Sequence, residues 1–122
     1  MQTITVKGQG MTQVLEIRTY TLHPGTAGQF DRLFHQQALP LLHAAGTDVV
    51  RARASLHDPE SYVLMRAYPS LTARETMQNQ FYGSAAWREG PREAILACIA
   101  HYTSVVIEAD AVLLDSLRKP GA

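Results

Sequence analysis

The residues of this chain best suited to chemistry fall in two short stretches. Glu16, Arg18 and Tyr20 alternate in the first; Arg66 stands between Leu64 and Tyr68 in the second. A period of two puts Glu16, Arg18 and Tyr20 on one side of an extended strand. If the two stretches are adjacent strands, guanidiniums and a carboxylate share one face. Two chemistries suit such a group. One is a cross-strand or cross-subunit ion-pair network that fixes a dimer. The other leaves a guanidinium facing a cavity, where its planar fork holds a carboxylate, phenolate or enolate. Tyr82 and Trp87, in the run Phe81 to Trp87, either wall such a cavity or pack into the core. His101 opens the last strand-like run, within reach of a cleft as ligand or proton carrier. The sequence singles out no catalytic residue.

Other reactive types are scattered. His23, His35, His43 and His57 show no metal-ligand spacing, and Cys98 is the single cysteine. His35 and His43 lie off the apolar stripe of their helix and read as solvated. No metal and no other cofactor is expected. The chain carries no G-x-S-x-G, no P-loop and no other nucleophile motif.

The elements that must position these side chains follow from periodicity. Met1 to Gly10 holds one short alternating piece, Ile4-Thr5-Val6, before two glycines. Residues 1–12 therefore read as a leader or an extra edge strand, with Met11 a second candidate start. Gln13 to Leu22 alternates as a strand. After the turn His23-Pro24-Gly25, Thr26 and Gln29 have capping-box spacing. Phe30, Leu33, Phe34, Ala38, Leu41 and Leu42 then recur at helical spacing, with Pro40 expected to kink or interrupt the helix. Thr47 to Leu56 and Tyr62 to Tyr68 read as an antiparallel hairpin around His57-Asp58-Pro59-Glu60. Pro69 ends the second of these strands, Ser70 caps a helix over Leu71 to Phe81, and Pro91 opens a further helix. His101 to Ala109 is the last strand. Ala111 to Arg118 belongs to a tail, 111–122, that can continue as a helix.

Strand, helix, strand, strand, helix, strand is the split βαβ, ferredoxin-like pattern, an α+β fold with a four-stranded antiparallel sheet over 13–110. The helices are expected to cover the face with Leu15, Ile17, Val63, Met65, Val105 and Ile107. The opposite face then collects Glu16, Arg18, Tyr20, Arg51, Arg53, Tyr62, Arg66, Tyr68, Tyr102 and Glu108. Tyr and Arg are enriched at protein interfaces, so this second face is expected to meet another copy of the chain.

Composition narrows the classes. The chain has 122 residues, 46% of them hydrophobic, and Lys+Arg and Asp+Glu both number 11. That length makes one globular domain. Zero net charge argues against nucleic acid as a partner, since phosphate binding needs a basic surplus. No apolar run reaches the length of a membrane span, and Met1 to Gly10 lacks the core of a signal peptide, so a cytoplasmic protein is expected.

Three segments carry a family resemblance. LEIRTYTLHPG at Leu15 to Gly25, ALPLL at Ala38 to Leu42 and AYPSLTAR at Ala67 to Arg74 stand in the order and spacing of the NIPSNAP family, and FYGSAAW at Phe81 to Trp87 fits the same pattern. The resemblance spans roughly Val14 to Glu108. It implies a dimeric α/β barrel, in which two ferredoxin-like sheets face each other, and it implies no settled reaction. Three functions stay open. The first is binding of a small aromatic or carboxylate-bearing ligand in a cavity of the barrel. The second is a cofactor-independent monooxygenase-like activity, by kinship of fold. The third is a non-catalytic dimeric scaffold.

Overall fold

The computed structural model describes residues 12–119. The elements are β1 (Gln13–Leu22), α1 (Ala27–Leu33), a π-helical turn (Phe34–Ala38), α2 (Leu39–Ala44), β2 (Asp48–Ala54), β3 (Ser61–Tyr68), α3 (Leu71–Tyr82), α4 (Ala85–Arg88), α5 (Arg92–Leu96), β4 (Ile99–Ala109) and α6 (Ala111–Arg118). The sheet order is β2-β3-β1-β4, and every neighbouring pair is antiparallel. This is the ferredoxin-like α+β arrangement expected from the element order. The expected leader or edge strand lies, except for Thr12, outside the described residues.

Local chemistry sets the element ends. Ser70 Oγ accepts from the Ala73 N–H at 3.0 Å and starts α3. Thr26 does not cap α1; its hydroxyl donates to the His23 carbonyl at 2.7 Å instead. Gly46 follows α2 at φ +85°, a left-handed position that costs glycine nothing. Pro40 interrupts the regular α-helix, as expected, without ending the helical path. Its ring would crowd the Gln36 carbonyl in a regular α-helix. The turn before it is widened, so that the Leu39 N–H reaches back to the Phe34 carbonyl, and the helix runs on.

The two faces of the sheet are the reverse of the expected assignment. Glu16, Arg18, Tyr20, Tyr62, Arg66 and Tyr68 are buried. Tyr20, Leu22, Tyr62 and Leu64 pack beneath the helices with Phe30, Phe34, Phe81 and Trp87. The Phe30 ring lies 4.8 Å from Tyr62 and 5.1 Å from Tyr20, centroid to centroid. The aromatic bulk and Leu64 on this face outweigh its few charges, which satisfy one another. On the other face, α6 covers one end, where Leu114 meets Leu15, Val50, Ala67 and Ala109. The rest is open: Val105 is 54% exposed and Ile107 41%.

β2 contributes a second correction. Its register slips at Val50, between Val49 opposite Arg66 and Arg51 opposite Met65. The extra residue turns Arg51 and Arg53 to the open side, away from Arg66. Arg51 then donates through Nε and Nη2 to the carbonyls of Leu117 and Lys119, at 2.7 and 2.5 Å. A cation at that end complements the helix dipole and anchors α6, which does form in the expected tail. Among the described residues no helix is long and apolar enough to cross a membrane.

Candidate functional site

Glu16 sits in the middle of β1, directly opposite Arg66 on β3, and both side chains are fully buried. α3 crosses above them. Arg74, Gln78 and Tyr82 recur every fourth residue along it and so hang from one side of the helix. Arg66 donates to Glu16 Oε1 through Nε at 2.9 Å and Nη2 at 2.7 Å. Arg74 and Arg18 donate to Oε2 through Nη2, at 2.7 and 3.0 Å. Gln78 Nε2 donates to Oε1 at 3.0 Å and to the Tyr68 hydroxyl at 3.1 Å.

This saturates the carboxylate. Burial alone would raise the Glu16 pKa, but Arg66, Arg74 and Arg18 outweigh it and hold the group at about 2. Glu16 is therefore a fixed anion and not a proton acceptor near neutral pH. Three guanidiniums surround one carboxylate, so the cluster keeps a positive surplus. Burial works against the charge on Arg66, and the neighbouring Tyr82, Tyr68 and Glu16 more than compensate, so its pKa rises.

The surplus is open on one side. A cavity of about 380 Å³ lies between β1, β4 and the helices α3 to α5. Arg18, Tyr20, Tyr82, Trp87, Arg92 and Tyr102 line it, with Ile95, Leu96 and Ile99. The Tyr102 ring covers the Arg18 guanidinium at 4.3 Å. The Tyr82 and Trp87 rings meet edge to face at 5.3 Å. No carboxylate is among these lining residues. Burial pushes the Tyr20 phenol up to about 12, with Tyr82 adding to the shift and Arg18 opposing it. A larger hollow of about 820 Å³ lies between Val14, Pro69 to Thr72 and Val106 to Glu108, but no arginine or lysine lines it and its one charged residue is Glu108.

The family model for NIPSNAP matches residues 15–106. The chain belongs to the NIPSNAP family. A NIPSNAP-like domain protein from Burkholderia xenovorans superposes with a TM-score of 0.72 at 18% identity, over 78% of this chain and 83% of the other. A NIPSNAP family protein of unknown function from Agrobacterium tumefaciens gives 0.72 at 18%, over 80% and 88%. A putative antibiotic biosynthesis monooxygenase from Nitrosomonas europaea gives 0.62 at 14%, over 80% and 89%. At these identities the likeness is one of fold. No curated protein matches the chain in sequence.

In this NIPSNAP chain, Glu16, Arg18, Arg66, Tyr20, Tyr82 and Trp87 come together as one continuous group. His101 does not join them. It is exposed on β4, next to Tyr102 and on the opposite side of the strand. Sequence reasoning missed Arg74, Gln78 and Arg92. The four-residue spacing of Arg74, Gln78 and Tyr82 was the available signal, since it aligns three polar groups on the helix that follows the Arg66 strand. Among the described residues, no group of His, Cys, Asp or Glu is placed to hold a metal ion.

Proposed function

We propose that this chain binds a small organic anion in the cavity between β1, β4 and α3 to α5, and that it acts as a cytoplasmic homodimer. The observation that carries the reading is the charge of the lining: Arg18 and Arg92 face the cavity, aromatic rings wall it, and no carboxylate lines it. Pockets for small ligands combine apolar walls with a few placed polar groups, and this one has that composition. The open sheet face supports the dimer, since Ile17, Val63, Met65, Val105 and Ile107 form an apolar patch of the kind a second copy covers. A cofactor-independent monooxygenase-like activity is a second reading. The same donors would stabilise a phenolate or enolate as well as a carboxylate.

Native mass spectrometry of the protein as purified tests the proposal. The expected spectrum shows a dimer that releases a small organic acid on activation. Added organic acids should also raise the melting temperature, since a ligand at about a hundred times its Kd stabilises by roughly 2.7 kcal/mol. A ligand-free monomer whose melting is unmoved by a panel of aromatic and aliphatic acids overturns it. Ligand-dependent uptake of dioxygen by the metal-free protein would favour the oxygenase reading.

A further inference from the structure

The hydrogen-bond directions around the cavity narrow the ligand further, and this step rests on the anion-binding reading above. The Tyr82 hydroxyl oxygen accepts from Arg66 Nη1 at 2.8 Å. Its own proton therefore points away from Arg66, and Tyr82 lines the cavity. Arg18 commits Nε to Ser104 Oγ at 3.0 Å and Nη2 to Glu16 and Gln78. The Tyr20 hydroxyl lies against the same guanidinium, and among the described residues Nη1 donates to no other side chain, on an arginine that also lines the cavity. Arg18, Tyr20 and Tyr82 lie close enough to feel one another's charge. So a charged N–H donor and an oriented O–H donor face one space. Neither can turn away: Arg18 is held by Glu16 and Ser104, and Tyr82 by Arg66.

The remaining walls describe the rest of the ligand. Tyr20, Trp87, Ile95 and Ile99 offer rings and branched carbons, and about 380 Å³ has room for one ring or two fused rings. Arg92 pairs with Glu93 at 2.5 Å on the exposed rim, so Arg18, buried and held in place, is the cation fixed against the ligand. One cation and two donors suit a monoanion with two oxygens in a plane.

We propose that the cavity takes a flat aromatic monocarboxylate, its carboxylate held between Arg18 Nη1 and the Tyr82 hydroxyl proton and its ring against Trp87. Tyr82 is then a specificity-determining residue. Its hydroxyl is aimed by Arg66 and, through it, by the buried Glu16.

Trp87 is the chain's single tryptophan, so its indole N–H gives one resonance in a spectrum of the ¹⁵N-labelled full chain. Benzoate, neutral benzamide and dianionic phenyl phosphate are titrated against that resonance. Benzoate should shift it saturably and bind at least about tenfold more tightly than benzamide. Tyr82→Phe should weaken benzoate by roughly tenfold or more, the range for a hydrogen bond to a charged group, and weaken benzamide less, since its carbonyl accepts the same proton without a charge. Arg18→Lys keeps a charge for Glu16 but loses the fork, and should weaken benzoate similarly; it serves if Tyr82→Phe does not fold. Phenyl phosphate binding more tightly than benzoate overturns the carboxylate seat and leaves anion binding standing. Equal benzoate affinity in wild type and Tyr82→Phe overturns the role of Tyr82. Benzamide binding as well as benzoate, or no response to either aromatic anion at millimolar concentration, overturns this inference; the reading beneath it falls only if aliphatic acids also leave the melting temperature unmoved.

Discussion

On the helix side of the sheet, β1 and β3 bury a carboxylate, two arginines and three tyrosines. On the other side, the same two strands leave Ile17, Val63 and Met65 only partly covered. The usual rule places charge outside and apolar carbon inside. The difference here is one of satisfaction. Glu16 accepts five hydrogen bonds and needs no water. Ile17 and Val105 gain nothing from water either, and they lie where only another surface can cover them. The helix side satisfies Glu16 within one chain, whereas the open side leaves Val105 and Ile107 to solvent.

The strongest way to break that contrast is to remove one partner from the buried side. Arg66→Ala should cost about 3 to 5 kcal/mol in urea denaturation, because Glu16 is left buried with fewer partners. Arg66→Met keeps the stem and should be nearly as harmful. Adding Glu16→Gln to Arg66→Met should recover part of the loss, since the stranded anion is gone. If Arg66→Ala melts like wild type, the network does not hold the fold together.

Acid probes the same side more gently. Glu16 is held at about 2, below its ordinary value of 4.5. A depressed carboxylate lends stability that is present above about pH 5 and is lost as pH falls towards 2. The loss should be on the order of 3 kcal/mol, measured by denaturation across that window. Glu16→Gln should be less stable at neutral pH and show a flatter profile below pH 5. A variant that follows the wild-type slope would assign the acid sensitivity to other carboxylates.

The open side should answer differently. Val105→Asp should leave the subunit's own fold within about 0.5 kcal/mol, as exposed substitutions do. It should weaken self-association by about 1 to 3 kcal/mol, because a lone carboxylate then enters an apolar contact. Analytical ultracentrifugation reads the second effect and thermal melting of the dilute protein the first. Unchanged sedimentation would remove Val105 from the contact between copies.

The strand and helix order, the hairpin, the Ser70 cap and the company of Glu16, Arg18 and Arg66 were legible because each rests on local periodicity. The choice of face was not. Leu15 and Ile17 alternate with Glu16 and Arg18, and alternation alone favours burying the leucine and isoleucine. Deciding it needed residues far apart: Leu22 and Leu64 share the face of Tyr20 and Arg66, and no solvated face gathers them. The β2 bulge was illegible for a different reason. One extra residue at Val50 leaves no mark in composition, yet it carries Arg51 and Arg53 to the other side. The cavity needed α5, whose Arg92 comes to line the same space as Arg18 only through the fold.

The edge strand β4 carries a consequence for the history of each molecule. Its run Tyr102-Thr103-Ser104-Val105-Val106-Ile107 has no charge, no proline and no glycine, and its outer backbone groups pair with no strand among the described residues. Such a run at a sheet edge is a template for strands of other copies, and it favours cross-β stacking. A folded chain with this edge uncovered is therefore prone to aggregate. Chains diluted from denaturant at high concentration should divide between native protein and insoluble β-rich material, and a charge placed within this run should shift that division towards soluble protein.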